Sequence, residues 1–167
     1  MFIKYLIVFL VSMVPLIELR GAIPIGMANG LDLVPLYITA IIGNMLPVPI
    51  IFFFARKVLI WGTKFKWPKA LKWVGKFFSF CLEKGEKGGK KLQEKAGKGG
   101  LFIALLLFVG IPIPGTGAWT GTLAASILDM DFKTSVIAVM LGVILAGVIM
   151  GLASAGVLGA AGAIFAK

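Results

Sequence analysis

Two ionisable side chains, Glu18 and Arg20, lie within apolar sequence that carries few other charges. A charged side chain near the centre of a membrane segment costs about 2.5–3.5 kcal/mol on the insertion scale, so something must offset that cost. One hypothesis is a structural pair, in which the two side chains neutralise each other. The other is a transport site, in which Arg20 binds an anion with its planar guanidinium and Glu18 couples binding to protons.

The segment that holds these two residues also contains residues that interrupt helices. Glu18 to Pro24 reads Glu-Leu-Arg-Gly-Ala-Ile-Pro, and proline removes a backbone donor while glycine loosens the chain. Amides freed at such a break can help to bind an anionic group. The sequence therefore predicts that Arg20, Gly21 and Pro24 contribute to a substrate-binding site.

A second break, Gly110 to Trp119, reads Gly-Ile-Pro-Ile-Pro-Gly-Thr-Gly-Ala-Trp. Its prolines lack donors, whereas the following residues expose amides and a hydroxyl where a new half-helix begins. It is not a nucleotide-binding loop, because no Gly-Lys-Ser follows and no strand pattern precedes it. We expect Trp119 to pack rather than to bind. The candidate anion-binding residues here are Pro114, Gly115, Thr116 and Gly117.

The helices beside each break are too short to cross a membrane. The first apolar block, Phe2 to Ile17, spans about 20–24 Å against a hydrocarbon core of roughly 30 Å, and the piece from Ile25 to Leu31 is shorter still. Leu101 to Val109 and Thr120 to Leu128 flank the second break in the same way. We expect two re-entrant hairpins whose tips face each other, since irregular backbone at membrane depth must be covered by protein.

Two longer blocks predict transmembrane helices. Leu33 to Ala55 is long enough to cross, and Pro47 and Pro49 should kink it near Asn44, which we include among the substrate-binding candidates. Phe132 to Ala166 exceeds one span and is expected to bend near Gly151. Its small residues, including a Gly-x-x-x-Gly pair, favour close helix contact and a possible homodimer.

The charges of the chain are concentrated in its centre. Only 14% of residues are charged and the net charge is +10, whereas soluble domains carry roughly 25% charged residues. Thirteen of the 17 basic residues lie between 56 and 100, the pattern of a cytoplasmic loop under the positive-inside rule. Within it, Trp67 to Cys81 predicts a basic amphipathic helix in the interface. We expect no nucleic-acid partner.

The two halves align weakly as an internal repeat. Gly21-Ala22 falls on Gly117-Ala118, Leu31-Asp32-Leu33 on Leu128-Asp129-Met130, and Gly43 on Gly142. One spanning helix between the hairpins would place them on opposite sides, which is the inverted-topology arrangement of many secondary transporters. Asp32, at the exit of the first hairpin, is a second candidate for proton coupling.

The motifs Glu-x-Arg-Gly-Ala-x-Pro at Glu18 to Pro24 and Pro-x-Pro-Gly-Thr-Gly-Ala-Trp at Pro112 to Trp119 resemble the small multidrug export protein family. That family is distantly similar to the DedA superfamily, whose members have two facing re-entrant hairpins and are implicated in moving lipids, often with proton coupling. The resemblance implies roles for Glu18 and Arg20. It does not extend to the arginines in the second half of DedA proteins, since no arginine follows Arg56.

The sequence thus predicts an all-α integral membrane protein with a single membrane domain, 1–167. It comprises two inverted-topology repeats, 1–55 and 101–167, each a re-entrant helical hairpin plus a transmembrane helix, and a cytoplasmic basic loop, 56–100, with an amphipathic interfacial helix. We expect a multi-pass protein of the cytoplasmic membrane that contacts membrane lipids.

The predicted function is a transporter with a midplane site between the tips. It would move an anionic amphiphile, a lipid phosphate or a small lipophilic compound, with proton coupling through Glu18 and Asp32 as the expected energy source. The alternatives are a membrane organiser, scramblase or insertion factor and, less favoured, a membrane-embedded lipid phosphatase. We expect no enzyme activity, catalytic residue, cofactor or metal site, because the chain has no histidine and one cysteine.

Overall fold

The computed structural model describes residues 1–15, 17–65, 99–113 and 115–165, with isolated positions at 73, 75, 76, 79, 83, 94 and 97. Side chains are described to residue 156, apart from those of residues 56 and 59. The predicted interfacial helix, Trp67 to Cys81, lies mostly outside the described residues, and so does Pro114. The described part of the chain contains helices and no strand, in agreement with the predicted all-α class.

The four continuous ranges of described residues contain seven helices. They are α1 (Phe2–Met13), α2 (Glu18–Ala28), α3 (Leu33–Met45), α4 (Pro47–Lys64), α5 (Gly99–Gly110), α6 (Ala118–Ile127) and α7 (Phe132–Phe165).

Two helical stretches are long and apolar enough to cross a membrane. Leu33–Lys64, which combines α3 and α4, has 32 residues, and Phe132–Gly156 within α7 has 25; about 20 residues suffice for a span. Large apolar side chains point outward from these helices, and Leu152 is 71% exposed. The spanning stretches therefore show the apolar exterior that lipid contact requires.

The first break lies earlier in the chain than the sequence predicts. Helix α1 ends at Met13, and Val14 is extended because it precedes Pro15. Helix α2 then begins at Glu18, whose φ is 51°. Pro24 lies inside α2, and the Gly21 amide donates to the Ile17 carbonyl at 3.0 Å. The prediction of a break from Glu18 to Pro24, with free amides, is therefore wrong.

The first spanning stretch changes helix at Leu46, close to the predicted kink. Pro47 begins α4, and neither Pro47 nor Pro49 can donate a backbone hydrogen bond to the preceding turn. Leu46 keeps helical angles, with φ −60° and ψ −40°, so the two helices follow each other without a loop. Helix α4 continues to Lys64, nine residues beyond the predicted end at Ala55.

Two glycines allow the long helices to pack closely on the short ones. A Cβ on Gly43 of α3 would lie 2.6 Å from the Phe9 carbonyl oxygen of α1. A Cβ on Gly142 of α7 would lie 2.8 Å from the Leu106 carbonyl oxygen of α5. Each contact brings a helix backbone against another, which only glycine permits.

Helix α2 lies at the centre of the fold. It packs against α1, α3 and α7, and its side chains Leu19 and Ile23 are buried, with 1% and 0% exposure. Helices α3 and α7 are joined by a hydrogen bond from the Tyr37 hydroxyl to the Gly147 carbonyl, at 2.9 Å. Helix α7 runs without interruption through Gly151, where the sequence predicts a bend.

The turns after α2 and α6 have the same backbone hydrogen bonds. Leu31 N donates to Gly26 O at 3.1 Å, and Met130 N donates to Ala125 O at 3.0 Å. The residues before these donors, Gly30 and Asp129, both have positive φ, 71° and 59°. Each of these α-helices therefore ends with a residue in the left-handed backbone conformation.

The helices that follow these two turns, α3 and α7, also begin with the same hydrogen-bond pattern. Asp32 and Asp131 immediately precede α3 and α7, and their carbonyls accept from Leu36 N at 3.0 Å and Ser135 N at 2.9 Å. The matching turns therefore relate Asp32 to Asp131, rather than to Asp129 as in the sequence alignment. The relation of Gly43 to Gly142 is unchanged.

Candidate functional site

The carboxylate of Glu18 binds the first backbone amides of α6. Its Oε2 accepts from Ala118 N at 3.1 Å and its Oε1 accepts from Trp119 N at 3.1 Å. Glu18 is only 4% exposed. The first amides of a helix have no partner within that helix and form its positive end. Glu18 therefore supplies both the acceptors and the negative charge that this buried helix end requires.

Gly117 makes room for the carboxylate. Its φ is 148°, which only glycine adopts readily, and a Cβ at this position would lie 2.7 Å from the carboxyl carbon of Glu18. The glycine thus serves two purposes: it sets the entry of the chain into α6, and it lets the Glu18 side chain approach the backbone.

The guanidinium of Arg20 binds the opposite side of the second break. Its Nη2 donates to the carbonyls of Val109 at 3.2 Å and Ile111 at 3.3 Å, and to Thr116 Oγ1 at 3.0 Å. Its Nη1 donates to the Ile113 carbonyl. Val109 lies in the last turn of α5, whose carbonyls have no donors of their own. Arg20 therefore holds the end of α5 and the residues that follow it.

The two charges match the two helix ends that they contact. Arg20 places a positive charge at the negative carboxyl end of α5, and Glu18 places a negative charge at the positive amino end of α6. Their hydrogen bonds go to the second break rather than to each other. Among the described residues no hydrogen bond joins the two side chains, so they act together through the second break rather than as a direct pair. The predicted transport roles of Arg20 and Glu18 stay predictions.

The hydrogen bonds of Arg20 bear on its predicted role as an anion ligand. Both terminal nitrogens already donate to carbonyl or hydroxyl oxygens of the protein. An incoming phosphate would have to displace several of these bonds. The geometry therefore favours a positioning role for Arg20.

A half-open cavity of about 360 Å³ lies beside Glu18. Helix α4 contributes Ile51, Phe54 and Ala55, helix α6 contributes Trp119, Thr120 and Leu123, and the breaks contribute Pro15, Glu18 and Thr116. We call this cavity the tip pocket. Its walls are mainly apolar, and among the described lining residues Glu18 is the one with an ionisable side chain. A lipophilic compound of modest size fits such a site.

Trp119 is fixed in the wall of this pocket. Its indole Nε1 donates to the carbonyl of Met13, the last residue of α1, at 3.2 Å. Its backbone amide binds Glu18 at the same time. Trp119 therefore connects the end of α1, the start of α6 and the pocket, which is more than the packing role expected from sequence.

The predicted site residues divide into three groups. The structure brings together Glu18, Arg20, Thr116 and Gly117, with Gly115 in the same loop at a φ of 86°. Pro114 lies outside the described residues. Four other candidates do not line the tip pocket: Gly21, Pro24, Asp32 and Asn44.

Two of these distant candidates have definite surroundings. Asp32 follows the far end of α2, which is roughly 16 Å long at 1.5 Å per residue, and it is exposed. Asn44 is 2% exposed, and its Oδ1 has no hydrogen-bond partner in the described structure.

Sequence reasoning missed the wall that α4 provides. Ile51, Phe54 and Ala55 belong to an apolar helix and have no distinctive spacing. The one available signal is the Phe52-Phe53-Phe54 run, which places aromatic side chains in three directions around the helix. Among the described residues, no group of three His, Cys, Asp or Glu side chains could hold a metal ion.

Comparison with known proteins gives one match. A family model described as "Putative small multi-drug export protein" matches residues 18–149, which is most of the chain and includes Glu18, Arg20 and the second break. No curated protein and no solved structure matches the chain.

Proposed function

Because the chain belongs to the small multi-drug export protein family, we propose that it is a membrane transporter that carries small lipophilic compounds through the tip pocket. The family name and the apolar helices point to a membrane exporter rather than an enzyme. Of the substrate classes that the sequence leaves open, the pocket favours the small lipophilic compound. The observation that carries this choice is an apolar cavity with an ionisable group at its edge.

The proposed architecture is a pair of re-entrant hairpins, α1–α2 and α5–α6, in inverted repeats with α3–α4 and α7 as spanning helices. The matching turns after α2 and α6 support it. The glycine contacts of α3 on α1 and of α7 on α5 support it as well. In this arrangement the tip pocket lies between the two hairpins near the middle of the membrane, where transporters of this type bind substrate.

The bonds between the tips suggest how access could be controlled. Glu18 and Arg20 extend from one hairpin and hold both helix ends of the other. Protonation of Glu18 would remove the negative charge at the start of α6 and weaken its two hydrogen bonds. We propose that Glu18 couples transport to protons in this way, by loosening the contact between the hairpins.

A cavity-filling variant tests the proposed function. Leu123 lines the tip pocket, so Leu123→Trp should occupy much of its volume. Leu152→Trp is the matched control, because Leu152 is 71% exposed on α7 and does not line the pocket. Proteoliposomes are loaded with one of three lipophilic fluorophores, positive, neutral or negative, and efflux is followed.

We expect wild-type protein and Leu152→Trp to release at least one fluorophore faster than empty liposomes. Leu123→Trp should release it at the background rate. Equal efflux from Leu123→Trp and wild type would show that the tip pocket is not the route. Background efflux from the wild type with all three fluorophores would contradict the transporter assignment.

A further inference from the structure

The charge of the transported compound can be inferred from the tip pocket, an inference that rests on the proposed function. We infer that the ligand is a lipophilic cation, such as an organic amine or a quaternary phosphonium ion, with its charge at Glu18. The apolar walls and the aromatic side chains then surround its hydrocarbon part.

The carboxylate can accept more than it does. An ionised carboxylate has two oxygens with about four acceptor positions, and Ala118 N and Trp119 N occupy one on each oxygen. Glu18 is one of the residues that line the pocket. A cation in the pocket can therefore interact with the carboxylate while both helix amides remain bound.

The neighbouring guanidinium does not cancel this charge within the pocket. Arg20 is absent from the pocket lining, and its terminal nitrogens are directed at Val109, Ile111, Ile113 and Thr116. Lys57 lines a separate open groove that shares only Phe54 with the pocket. Among the described lining residues, Glu18 is thus the one whose side chain carries a formal charge, and that charge is negative.

Two aromatic side chains strengthen the preference for a cation. Trp119 and Phe54 lie on different walls, and the faces of aromatic rings attract cations electrostatically. Trp119 is anchored by its indole bond to Met13 O, so one ring is held in place before a ligand arrives. An anion of the same size would gain no such attraction from the rings and would be repelled by the carboxylate.

The test compares two isosteric ions, tetraphenylphosphonium and tetraphenylborate, which differ mainly in the sign of their charge. Binding to the purified full-length protein in detergent is measured by equilibrium dialysis, with protein-free micelles as the blank. The variants are Glu18→Gln and a matched control, Glu94→Gln. The control removes the same charge at an exposed position outside the pocket. Thermal unfolding of each variant checks that it is folded.

We expect wild type and Glu94→Gln to bind the phosphonium at least about tenfold more tightly than the borate. Glu18→Gln should lose most of this preference for the phosphonium over the borate. If Glu18→Gln does not fold, Thr120→Lys serves instead, because it adds a positive charge to the pocket wall and keeps Glu18. This variant should reverse the preference towards the borate.

The possible failures are distinguishable. Equal or tighter borate binding by the wild type overturns the charge assignment, but it is compatible with transport of another lipophilic class. A phosphonium preference that persists in Glu18→Gln, or in Thr120→Lys where that variant replaces it, also overturns the assignment to Glu18. No saturable binding of either ion, together with background efflux of all three fluorophores, overturns the proposed function itself.

Discussion

The carboxylate of Glu18 accepts a hydrogen bond at 3.1 Å from the backbone amide of Trp119, 101 positions further along the chain. The same carboxylate binds Ala118 N, and Arg20, two residues later, binds the end of α5. One turn of α2 thus determines how both helices of the second break are placed. Stability and transport should therefore respond together when these residues are changed.

Removing the Glu18 side chain should destabilise the fold. Glu18→Ala leaves two amides of a buried helix end without acceptors, and each costs about 1–3 kcal/mol. We expect a total loss of about 2–6 kcal/mol in the free energy of unfolding, measured by denaturant titration in detergent. Glu18→Gln keeps one acceptor oxygen and should lose less. Glu94→Ala, at an exposed site, is the control; a similar loss there would contradict this account.

Lysine should not replace Arg20. The guanidinium contacts four oxygens through two nitrogens. The lysine ammonium has one nitrogen and cannot reproduce the planar arrangement of these donors. We expect Arg20→Lys to cost about 2 kcal/mol and Arg20→Met at least as much, by the same titration. Lys4→Met removes an exposed bond from Lys4 Nζ to Asn29 O and should cost less than about 1 kcal/mol. Full stability of Arg20→Lys would argue against the four-oxygen arrangement.

The glycine contacts between helices should not tolerate a methyl group. A Cβ at Gly142 would lie 2.8 Å from Leu106 O and 2.7 Å from Val109 Cβ, so Gly142→Ala should cost about 1–3 kcal/mol. Gly43→Ala should behave in the same way, since its nearest backbone atom is 2.6 Å away.

Gly156 offers a control on the same helix as Gly142. A Cβ there meets no atom of the described residues within 4 Å, so Gly156→Ala should be neutral or more stable by up to about 1 kcal/mol, because alanine favours the helix. Comparable losses at Gly142 and Gly156 would mean that helix propensity, rather than close packing, decides the outcome.

Asp131 should make stability dependent on acid pH. Its Oδ2 accepts from Thr134 N and from Thr134 Oγ1, both at 3.1 Å, at the start of α7. The backbone bond from Thr134, followed by the hydroxyl bond, holds the pKa of this exposed carboxyl below its ordinary value. A lowered pKa means that the stabilisation is present at neutral pH and is lost as the pH falls through the pKa of the folded protein.

The comparison for Asp131 is with Asp131→Asn, which keeps an acceptor but does not ionise in this range. The difference in melting temperature between the two proteins should be constant above about pH 5 and should shrink below about pH 4. Subtracting the variant removes the effect of the other carboxylates. A difference that grows on acidification would have the wrong sign for this mechanism.

Asn44 offers a stabilising substitution. Its Oδ1 is buried without a partner in the described structure, and such an acceptor costs about 1–3 kcal/mol. Asn44→Leu has a similar shape and should raise the free energy of unfolding by about 1 kcal/mol. A loss of stability instead would mean that the Asn44 side-chain amide binds a partner, such as an ordered water, that stabilises the fold.

Much of the architecture follows from local sequence. The lengths of the apolar runs predict which helices are short and which are long, and the run of glycine and proline from Gly110 to Trp119 predicts the second break, because these residues act on their own turn. The same rules misplace the first break. Pro24 is tolerated within α2, whereas Pro15 holds Val14 in an extended conformation, so that α1 ends at Met13.

The sequence by itself determined the helical membrane class, the second break and the importance of Glu18 and Arg20, since a charge in apolar surroundings must have a partner. Only the tertiary structure decided which partners they have. Apart from the Thr116 hydroxyl, those partners are backbone groups of α5, α6 and the loop between them, about a hundred residues away. A backbone amide or carbonyl has no signature in sequence. The wall from α4 was likewise decided by packing, because an apolar side chain looks the same whether it meets lipid, a helix or a pocket.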